Sequence, residues 1–362
     1  MIFNSIIPIP SYTPLFYNMV LLVVLLAVLQ LFVKGYVIKD ATKKETASVI
    51  LLIVVTLYMG LRPISFAFGD MGMYAKYFRE FANGAEITNT KDILWRLFMK
   101  FCSGIMSAQY FFLLCAILYI VPLYAAVKKW FGIDKYFIFL MLIASFSFWA
   151  YGTNGIRNGI ATSFFIYGLA ITNNKYIKYG LFLLAYLIHG SIMIPIAAYV
   201  LTTYYNNTRH YLIGWLVAIP LSIALGGFWE SLFASLGFGG ERLSYLGNAI
   251  DKSQFSKTGF RWDFLVYSAA AVYAGYYFIF KKHFNDKMYH QLFNIYLTAN
   301  AFWILVIRSS FSNRFAYLSW FLMAIIIFYP FFKQQFFVKQ QKVLAYTVLL
   351  YYGFTYFMTT IL

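Results

Sequence analysis

The segment Tyr179–Thr203, YGLFLLAYLIHGSIMIPIAAYVLTT, decides how this chain is threaded through a membrane. It has the length of one spanning helix and contains no Asp, Glu, Lys or Arg. Its middle reads His189-Gly190-Ser191, where the apex of a hairpin would lie. The segment therefore predicts either a single crossing or a hairpin that enters and returns.

A hairpin at 179–203 would be short. Two arms of about 12 residues reach roughly 18 Å each, whereas a hydrocarbon core is about 30 Å thick. Two full crossings would need flanking residues, and without them the hairpin is re-entrant. Non-helical backbone at that depth is tolerated only inside protein or beside a water-filled cavity. A hairpin would thus place His189 at the bottom of an externally open cavity.

The distribution of lysine and arginine favours the hairpin. Of 20 Lys and nine Arg, 15 lysines lie in five short connections, and every arginine except Arg209 lies in the alternate connections or at helix ends facing them. Only the hairpin puts all five lysine clusters on one side, which the positive-inside rule makes cytoplasmic. The five lysine-bearing connections are 34–44, 128–135, 173–178, 281–287 and 333–342.

Composition makes lipid the solvent of this chain. It is 62% hydrophobic and 11% charged, with a mean hydropathy of +0.69, and a soluble fold of 362 residues could not bury so much apolar surface. The net charge of +17 is mostly loop lysine, so it fits membrane topology and anionic lipid rather than nucleic acid. The apolar runs are 14–33, 47–61, 109–127, 136–151, 156–172, 179–203, 211–228, 264–280, 290–307, 315–332 and 343–361.

We therefore predict an all-α polytopic protein of about 11–12 membrane segments, a single integral membrane domain over 1–362. Two predicted external loops are long enough to carry function. Loop 62–108 contains two apolar helical faces that predict helices lying in the interface. One face consists of Tyr74, Tyr77, Phe78 and Phe81, and the other of Ile93, Leu94, Leu97, Phe98 and Phe101. Loop 229–263 mixes charged residues with glycines and predicts a mobile lid, in which Arg242 and Tyr245 are candidate substrate contacts.

The segment 151–161, YGTNGIRNGIA, is the strongest candidate for an anion site. Thr153 or Asn154 would cap a helix that begins near Gly155, which places Arg157 in the first turn, with Asn158 beside it. Free N–H groups, the positive end of the helix dipole and a guanidinium together favour a bound phosphate or diphosphate. The alternative is that Arg157 only reaches toward the headgroups.

His189 is the one histidine inside a predicted membrane segment, because His210, His283 and His290 lie at predicted cytoplasmic ends. A neutral imidazole can take a proton from a hydroxyl. An interhelical hydrogen bond is the alternative role, and the sequence leaves both open.

Further external residues could contact an anionic substrate. Arg308 and Arg314 bracket a short polar turn, and Arg62 lies at the outer end of the second apolar run. Interface anchoring would suit lysine equally well, and lysine is absent from these positions, so we favour phosphate binding. Asp70 is the best external carboxylate and could orient a sugar, position an arginine or bind a metal.

The sequence carries no pair of carboxylates or His/Cys set at metal-ligand spacing, so we expect neither a metal site nor a cofactor. Cys102 and Cys115 are 13 positions apart, and Cys115 falls inside an apolar run, so we expect no disulfide.

Four short motifs resemble the EpsG-like family of exopolysaccharide and O-antigen (Wzy-type) polymerases. The resemblance implies a GT-C-like architecture and a polymerase of the bacterial inner membrane that joins repeat units carried on undecaprenyl diphosphate. It also implies arginine on the diphosphate, histidine near the reacting hydroxyl and catalysis without metal. The motifs are Gly60-Leu61-Arg62 with Gly69-Asp70 and Tyr74, Arg157-Asn158-Gly159-Ile160-Ala161, His189-Gly190-Ser191 and Asn313-Arg314-Phe315.

The predicted partners are an undecaprenyl-diphosphate-linked oligosaccharide and membrane lipid, and a chain-length regulator protein is left open. Two other functions remain as alternatives. A lipid-linked oligosaccharide flippase would need cationic residues on a path to both faces and some repeat symmetry, and the sequence displays neither. A membrane O-acyltransferase would also use a lone intramembrane histidine, but its critical residues should not favour the outer face.

Overall fold

The chain folds into helices, and a computed structural model describes residues 7–33, 41–88, 92–235, 259–309 and 312–361. No strand occurs within these ranges. The helices are α1 Ile9–Val33, α2 Ala41–Gly60, α3 Met71–Ala82, α4 Ile93–Ser103, α5 Ala108–Phe131, α6 Lys135–Ile143, α7 Phe146–Thr153, α8 Ile156–Ala170, α9 Lys175–Ile188, α10 Met193–Tyr204, α11 Thr208–Ser235, α12 Trp262–Tyr276, α13 Lys287–Leu305, α14 Ser312–Trp320, α15 Met323–Phe328 and α16 Gln340–Tyr356.

The protein is a multi-pass membrane protein, as its composition predicts. Five helical stretches are long and apolar enough to cross a bilayer, and Gly190–Tyr204 is a shorter apolar helix. Each apolar run of the sequence coincides with one helix or with two helices in succession. The five long stretches are Ile9–Val33, Ala108–Ile143, Thr208–Trp229, Trp262–Lys281 and Ser312–Phe332.

The helices group into two units. Unit 1 comprises Met1–His189 and Gln334–Leu362, and unit 2 comprises Gly190–Lys333. In unit 1, α5 packs against α2 and α8, α8 packs against α9, and α1 pairs with α16. In unit 2, α13 packs against α10, α11 and α14, while α12 packs against α15. Both units carry membrane-length helices, and the single integral membrane domain stays a prediction.

The predicted break in 179–203 is confirmed. Helix α9 ends at Ile188, His189 is extended with φ −154° and ψ 113°, and a tight helical turn over Gly190–Ile192 leads into α10. At 1.5 Å per residue the two helices are roughly 21 Å and 18 Å long, so each is shorter than a hydrocarbon core of about 30 Å. The apolar segment is therefore two short helices rather than one continuous helix.

Loop 62–108 contains the two predicted amphipathic helices, α3 and α4. Helix α3 buries Tyr74, Phe78 and Phe81, as the predicted apolar face requires. Helix α4 buries Trp95, Met99 and Cys102, whereas Leu97 and Phe101 of its predicted apolar face are exposed. In the second loop, α11 continues to Ser235 and α12 begins at Trp262. Residues 236–258 of this loop, which include Arg242 and Tyr245, lie outside the described residues, and the lid stays a prediction.

Candidate active site

Arg157 lies in the first turn of α8, as predicted, at the junction between α7 and α8. The capping prediction is wrong, because neither Thr153 nor Asn154 caps α8, whose N-cap residue is Gly155. The Thr153 hydroxyl donates back to the Trp149 carbonyl over 2.8 Å, and the Asn154 amide oxygen accepts the backbone N–H of Asp70 over 3.0 Å. The Thr153 side chain therefore bonds within α7, the Asn154 side chain makes a tertiary contact, and the start of α8 is left without a side-chain cap.

Arg157 and His189 meet on one carboxylate oxygen. Asp92 Oδ2 accepts a hydrogen bond from Arg157 Nη1 over 2.7 Å and lies 2.9 Å from His189 Nδ1. The Arg157 Nε donates to the Tyr74 hydroxyl over 2.9 Å, and the guanidinium lies 5.7 Å from the centre of the Tyr74 ring. The side chains of Asp92 and His189 are each 10% exposed, and that of Arg157 is 15% exposed. We call these four residues the Arg157 cluster.

Asp92 reaches this position because of its unusual backbone. With φ 49° and ψ 46°, it is one of two non-glycine residues with positive φ in the described part of the chain. A side chain in this left-handed region costs on the order of 1 kcal/mol, and Asp and Asn tolerate it best. Although Asp92 precedes α4, its side chain does not cap that helix. The carboxylate is directed at Arg157 and His189 instead.

The contact with Asp92 defines the chemistry of His189. A neutral imidazole that uses Nδ1 to face a carboxylate carries its proton there, which assigns the acceptor lone pair to Nε2. The same carboxylate stabilises the imidazolium that would form when Nε2 takes a proton. Among the described residues, Asp92, Arg157 and His189 thus combine a candidate base with a candidate anion-binding guanidinium.

Arg62 occupies a buried position beside this cluster. It is 1% exposed and donates to the carbonyls of Met59 and Thr153, the second over 3.3 Å. Its guanidinium also lies 5.6 Å from the centre of the Phe68 ring and 6.0 Å from that of Phe112. Burial lowers the pKa of Arg62 to about 10, so the cation persists at neutral pH. Direct contact between Arg62 and a substrate stays a prediction, and its present contacts hold the loop after α2 against the end of α7.

Asn154 and Gly69 form a second attachment of the same loop. Gly69 has φ +64°, and a Cβ atom added there would lie 2.2 Å from the Asn154 amide oxygen. This close approach lets Asn154 accept the Asp70 N–H, and Asp70 directly precedes α3. The attachment therefore fixes α3, and with it Tyr74, relative to the α7–α8 junction that carries Arg157.

Asn158, Arg308 and Arg314 are the remaining predicted residues in the described part of the chain. Asn158 is 4% exposed, and its Oδ1 accepts no hydrogen bond within the described ranges. In unit 2, Arg308 is exposed and donates to the Ile223 carbonyl over 3.3 Å, where α11 is broken at Leu225. Arg314 is half-buried on α14. The convergence of Arg308 and Arg314 with Arg157 stays a prediction.

Sequence reasoning missed Asp92 and gave Tyr74 no role beyond an apolar face and a family motif. Asp92 directly precedes the amphipathic stretch that forms α4, and aspartate is a common N-cap residue. From sequence alone, its position therefore indicates a helix cap rather than a site residue. Its partners are 65 and 97 positions away along the chain. Asp92 could have been found only by asking which carboxylate of loop 62–108 would face the arginine at the start of α8.

No group of three or more His, Cys, Asp or Glu side chains suited to a metal ion occurs in the residues that the structure describes. The model of the EpsG family matches residues 45–362, which include every residue of the Arg157 cluster. No curated protein and no solved structure matches the chain.

Proposed function

Because this chain belongs to the EpsG family, whose members resemble polysaccharide polymerases, we propose that it is a glycosyltransferase that joins lipid-linked oligosaccharide repeat units. The donor and acceptor are oligosaccharides on undecaprenyl diphosphate, and the reaction takes place at the periplasmic face of the bacterial inner membrane. The observation that carries the proposal is the shared contact of Arg157 and His189 with Asp92. It brings an anion-binding group and a base together, as transfer from a diphosphate requires.

The reaction exchanges one bond at the anomeric carbon of the donor. The hydroxyl oxygen of the acceptor sugar attacks this carbon, and the carbon–oxygen bond to the diphosphate breaks with its electron pair. His189 Nε2 takes the hydroxyl proton and later releases it to solvent or to the departing diphosphate. The products are a lengthened glycan and undecaprenyl diphosphate, so atoms and charge balance.

Arg157 contributes by stabilising the leaving group. Negative charge grows on the diphosphate as the anomeric bond breaks, and the guanidinium that Tyr74 holds at Nε can meet this charge through its Nη groups. Guanidinium also binds phosphate in a planar, two-pronged geometry that an ammonium group cannot reproduce. Arg308, Arg314, Asn154, Asn158 and Asp70 remain candidate substrate contacts in this proposal.

A single attack without a covalent enzyme intermediate inverts the anomeric configuration. We therefore propose an inverting transferase that works without metal. Comparison of the anomeric configuration of donor and product by nuclear magnetic resonance tests this point. A product that retains the donor configuration would contradict it.

The direct test is polymerisation by the purified protein. Incubation in detergent with the lipid-linked repeat unit should give a ladder of products, whereas a flippase would give no ladder and an acyltransferase a single small mass shift. His189→Gln should lower the initial rate by at least about 100-fold, because general-base catalysis is lost. His210→Gln, an exposed histidine in unit 2, is the control and should retain the rate. An unchanged ladder from a folded His189→Gln protein would refute the assigned base.

A further inference from the structure

We propose that Asp92 couples donor binding to acceptor activation, because its single carboxylate is shared between the group that holds the diphosphate and the group that takes the proton. This inference rests on the proposed function and deepens it. In our proposal Asp92 is a positioning residue, since it acts on substrate through Arg157 and His189.

The geometry makes the two contacts competitive. Both Arg157 Nη1 and His189 Nδ1 lie against the same oxygen, Asp92 Oδ2, at 2.7 and 2.9 Å. Charges in a largely buried cluster are weakly screened. The positive charge of Arg157 therefore offsets part of the negative charge with which Asp92 would stabilise an imidazolium at His189. Before the donor binds, Asp92 partly neutralises Arg157 and stabilises the imidazolium form of His189 only in part.

A diphosphate changes this balance because it offers Arg157 more negative charge and several acceptor oxygens. When Nη1 turns from Asp92 to the phosphate, the carboxylate is left to His189. Without the guanidinium against it, the carboxylate stabilises the imidazolium more strongly as Nε2 accepts the hydroxyl proton. Donor binding therefore makes His189 a better base, and an empty donor site leaves it a poorer one.

Two features suit the cluster to such an exchange. Tyr74 holds Arg157 Nε over 2.9 Å, and the Tyr74 ring packs edge-on against Trp95 with centroids 5.4 Å apart, so the guanidinium can turn about a fixed point. The left-handed backbone of Asp92, in turn, holds the carboxylate in place without help from a helix cap. The movable contact is thus the one between Nη1 and Oδ2.

The exchange predicts that removing the Asp92 charge has opposite effects on binding and on turnover. In Asp92→Asn, Arg157 loses its internal competitor, so the affinity for undecaprenyl diphosphate and the apparent affinity for donor should rise about 3- to 10-fold. The same change deprives the imidazolium of its carboxylate, so kcat should fall at least about 100-fold. A residue with a merely structural role would weaken both.

The measurements are steady-state ladder kinetics and binding of undecaprenyl diphosphate to the full-length protein in detergent. Asp92→Gly is the second variant, because glycine adopts the left-handed backbone most easily and also removes the charge. Glu86→Gln changes an exposed carboxylate of the same loop that pairs with Lys100, and it should leave both quantities unchanged.

The outcomes separate this inference from the proposed function. If the wild-type protein forms no ladder, the proposed function fails. If the wild-type protein forms a ladder but both folded Asp92 variants bind undecaprenyl diphosphate more weakly, or retain kcat, the coupling role of Asp92 is overturned. In an Arg157→Lys background, Asp92→Asn should no longer tighten donor binding as it does alone, since the competing guanidinium is gone.

Discussion

Two ionic clusters lie at opposite ends of the same helices in unit 1. The Arg157 cluster lies near the end of α2 and the start of α5, where Gln109 donates to the carbonyls of Gly60 and Arg62. The other, which we call the Lys135 cluster, lies near the start of α2 and the end of α5, roughly 36 Å away along α5. It contains Lys44 paired with Asp134, and Lys128 and Lys135 paired with Glu45.

The clusters differ in how their carboxylates are used. In the Lys135 cluster the side chains of Glu45 and Asp134 are 47% and 24% exposed, and each carboxylate pairs with lysine. In the Arg157 cluster one carboxylate, 10% exposed, faces both a guanidinium and an imidazole from a left-handed backbone position. In our proposal the Lys135 cluster ties helix ends together and the Arg157 cluster serves catalysis, and residue type alone does not make that distinction.

The largest expected difference between the clusters is in the ladder rate when an arginine is replaced by lysine in one and a lysine by arginine in the other. Arg157→Lys should lower the ladder rate at least about 100-fold, nearly as much as Arg157→Ala, because lysine cannot bind phosphate in a two-pronged geometry or replace the Nε contact with Tyr74. Lys44→Arg, which retains a cation beside Asp134, should change the rate less than about twofold. Full-length polymer from a well-expressed Arg157→Lys strain would contradict the phosphate-binding role given to Arg157.

A smaller effect should follow from disturbing the loop that positions the Arg157 cluster. Gly69→Ala places a methyl group against the Asn154 amide at φ +64°, so α3 and Tyr74 should shift, with a rate loss of about 10-fold or more. Gly84→Ala is the matched control, because Gly84 has φ +90° in the same loop but nothing within 4 Å of an added Cβ. Ladder rates and thermal unfolding measured together separate positioning from stability. Equal rate losses in the two variants would show that the contact with Asn154 does not matter.

The smallest effect concerns the Lys135 cluster and should appear in stability alone. A hydrogen bond from Lys135 lowers the pKa of Glu45, so this pair contributes stability above the unfolded pKa near 4.5 and loses it as pH falls through the lowered value. Lys135→Met should therefore unfold at a lower temperature than wild type at about pH 6, and the difference should narrow below about pH 4.

Thermal unfolding in detergent measures this difference, and Lys129→Met, at an exposed neighbour, is the control. The ladder rate of Lys135→Met should stay close to that of wild type. A gap in unfolding temperature that is constant over the whole pH range would contradict the role given to the Glu45 contact.

Local features of the fold and site could be predicted from sequence, and contacts between distant residues could not. Hydrophobic runs predicted the helices, because helix formation there depends on neighbouring residues. The position of Arg157 in a first turn was equally local. The alternation of lysine along the whole chain predicted a break in 179–203, with its apex near His189-Gly190-Ser191. Asp92 could not be assigned, since the backbone that turns its carboxylate away from α4 is fixed by packing between distant segments. Asn154 was expected to cap a helix, but its amide instead binds Asp70, which is 84 positions away.

The buried guanidinium of Arg62 has a consequence for how the protein is made. Its acceptor on α7, the Thr153 carbonyl, belongs to a residue synthesised 91 positions later. During translation, α2 therefore enters the bilayer before the partner that Arg62 needs has left the ribosome, and the cation must remain in water or among headgroups until α7 arrives. The loop that orders Tyr74 closes only afterwards, so a nascent chain arrested between α2 and α7 should carry an Arg62 that reagents in the aqueous phase can reach.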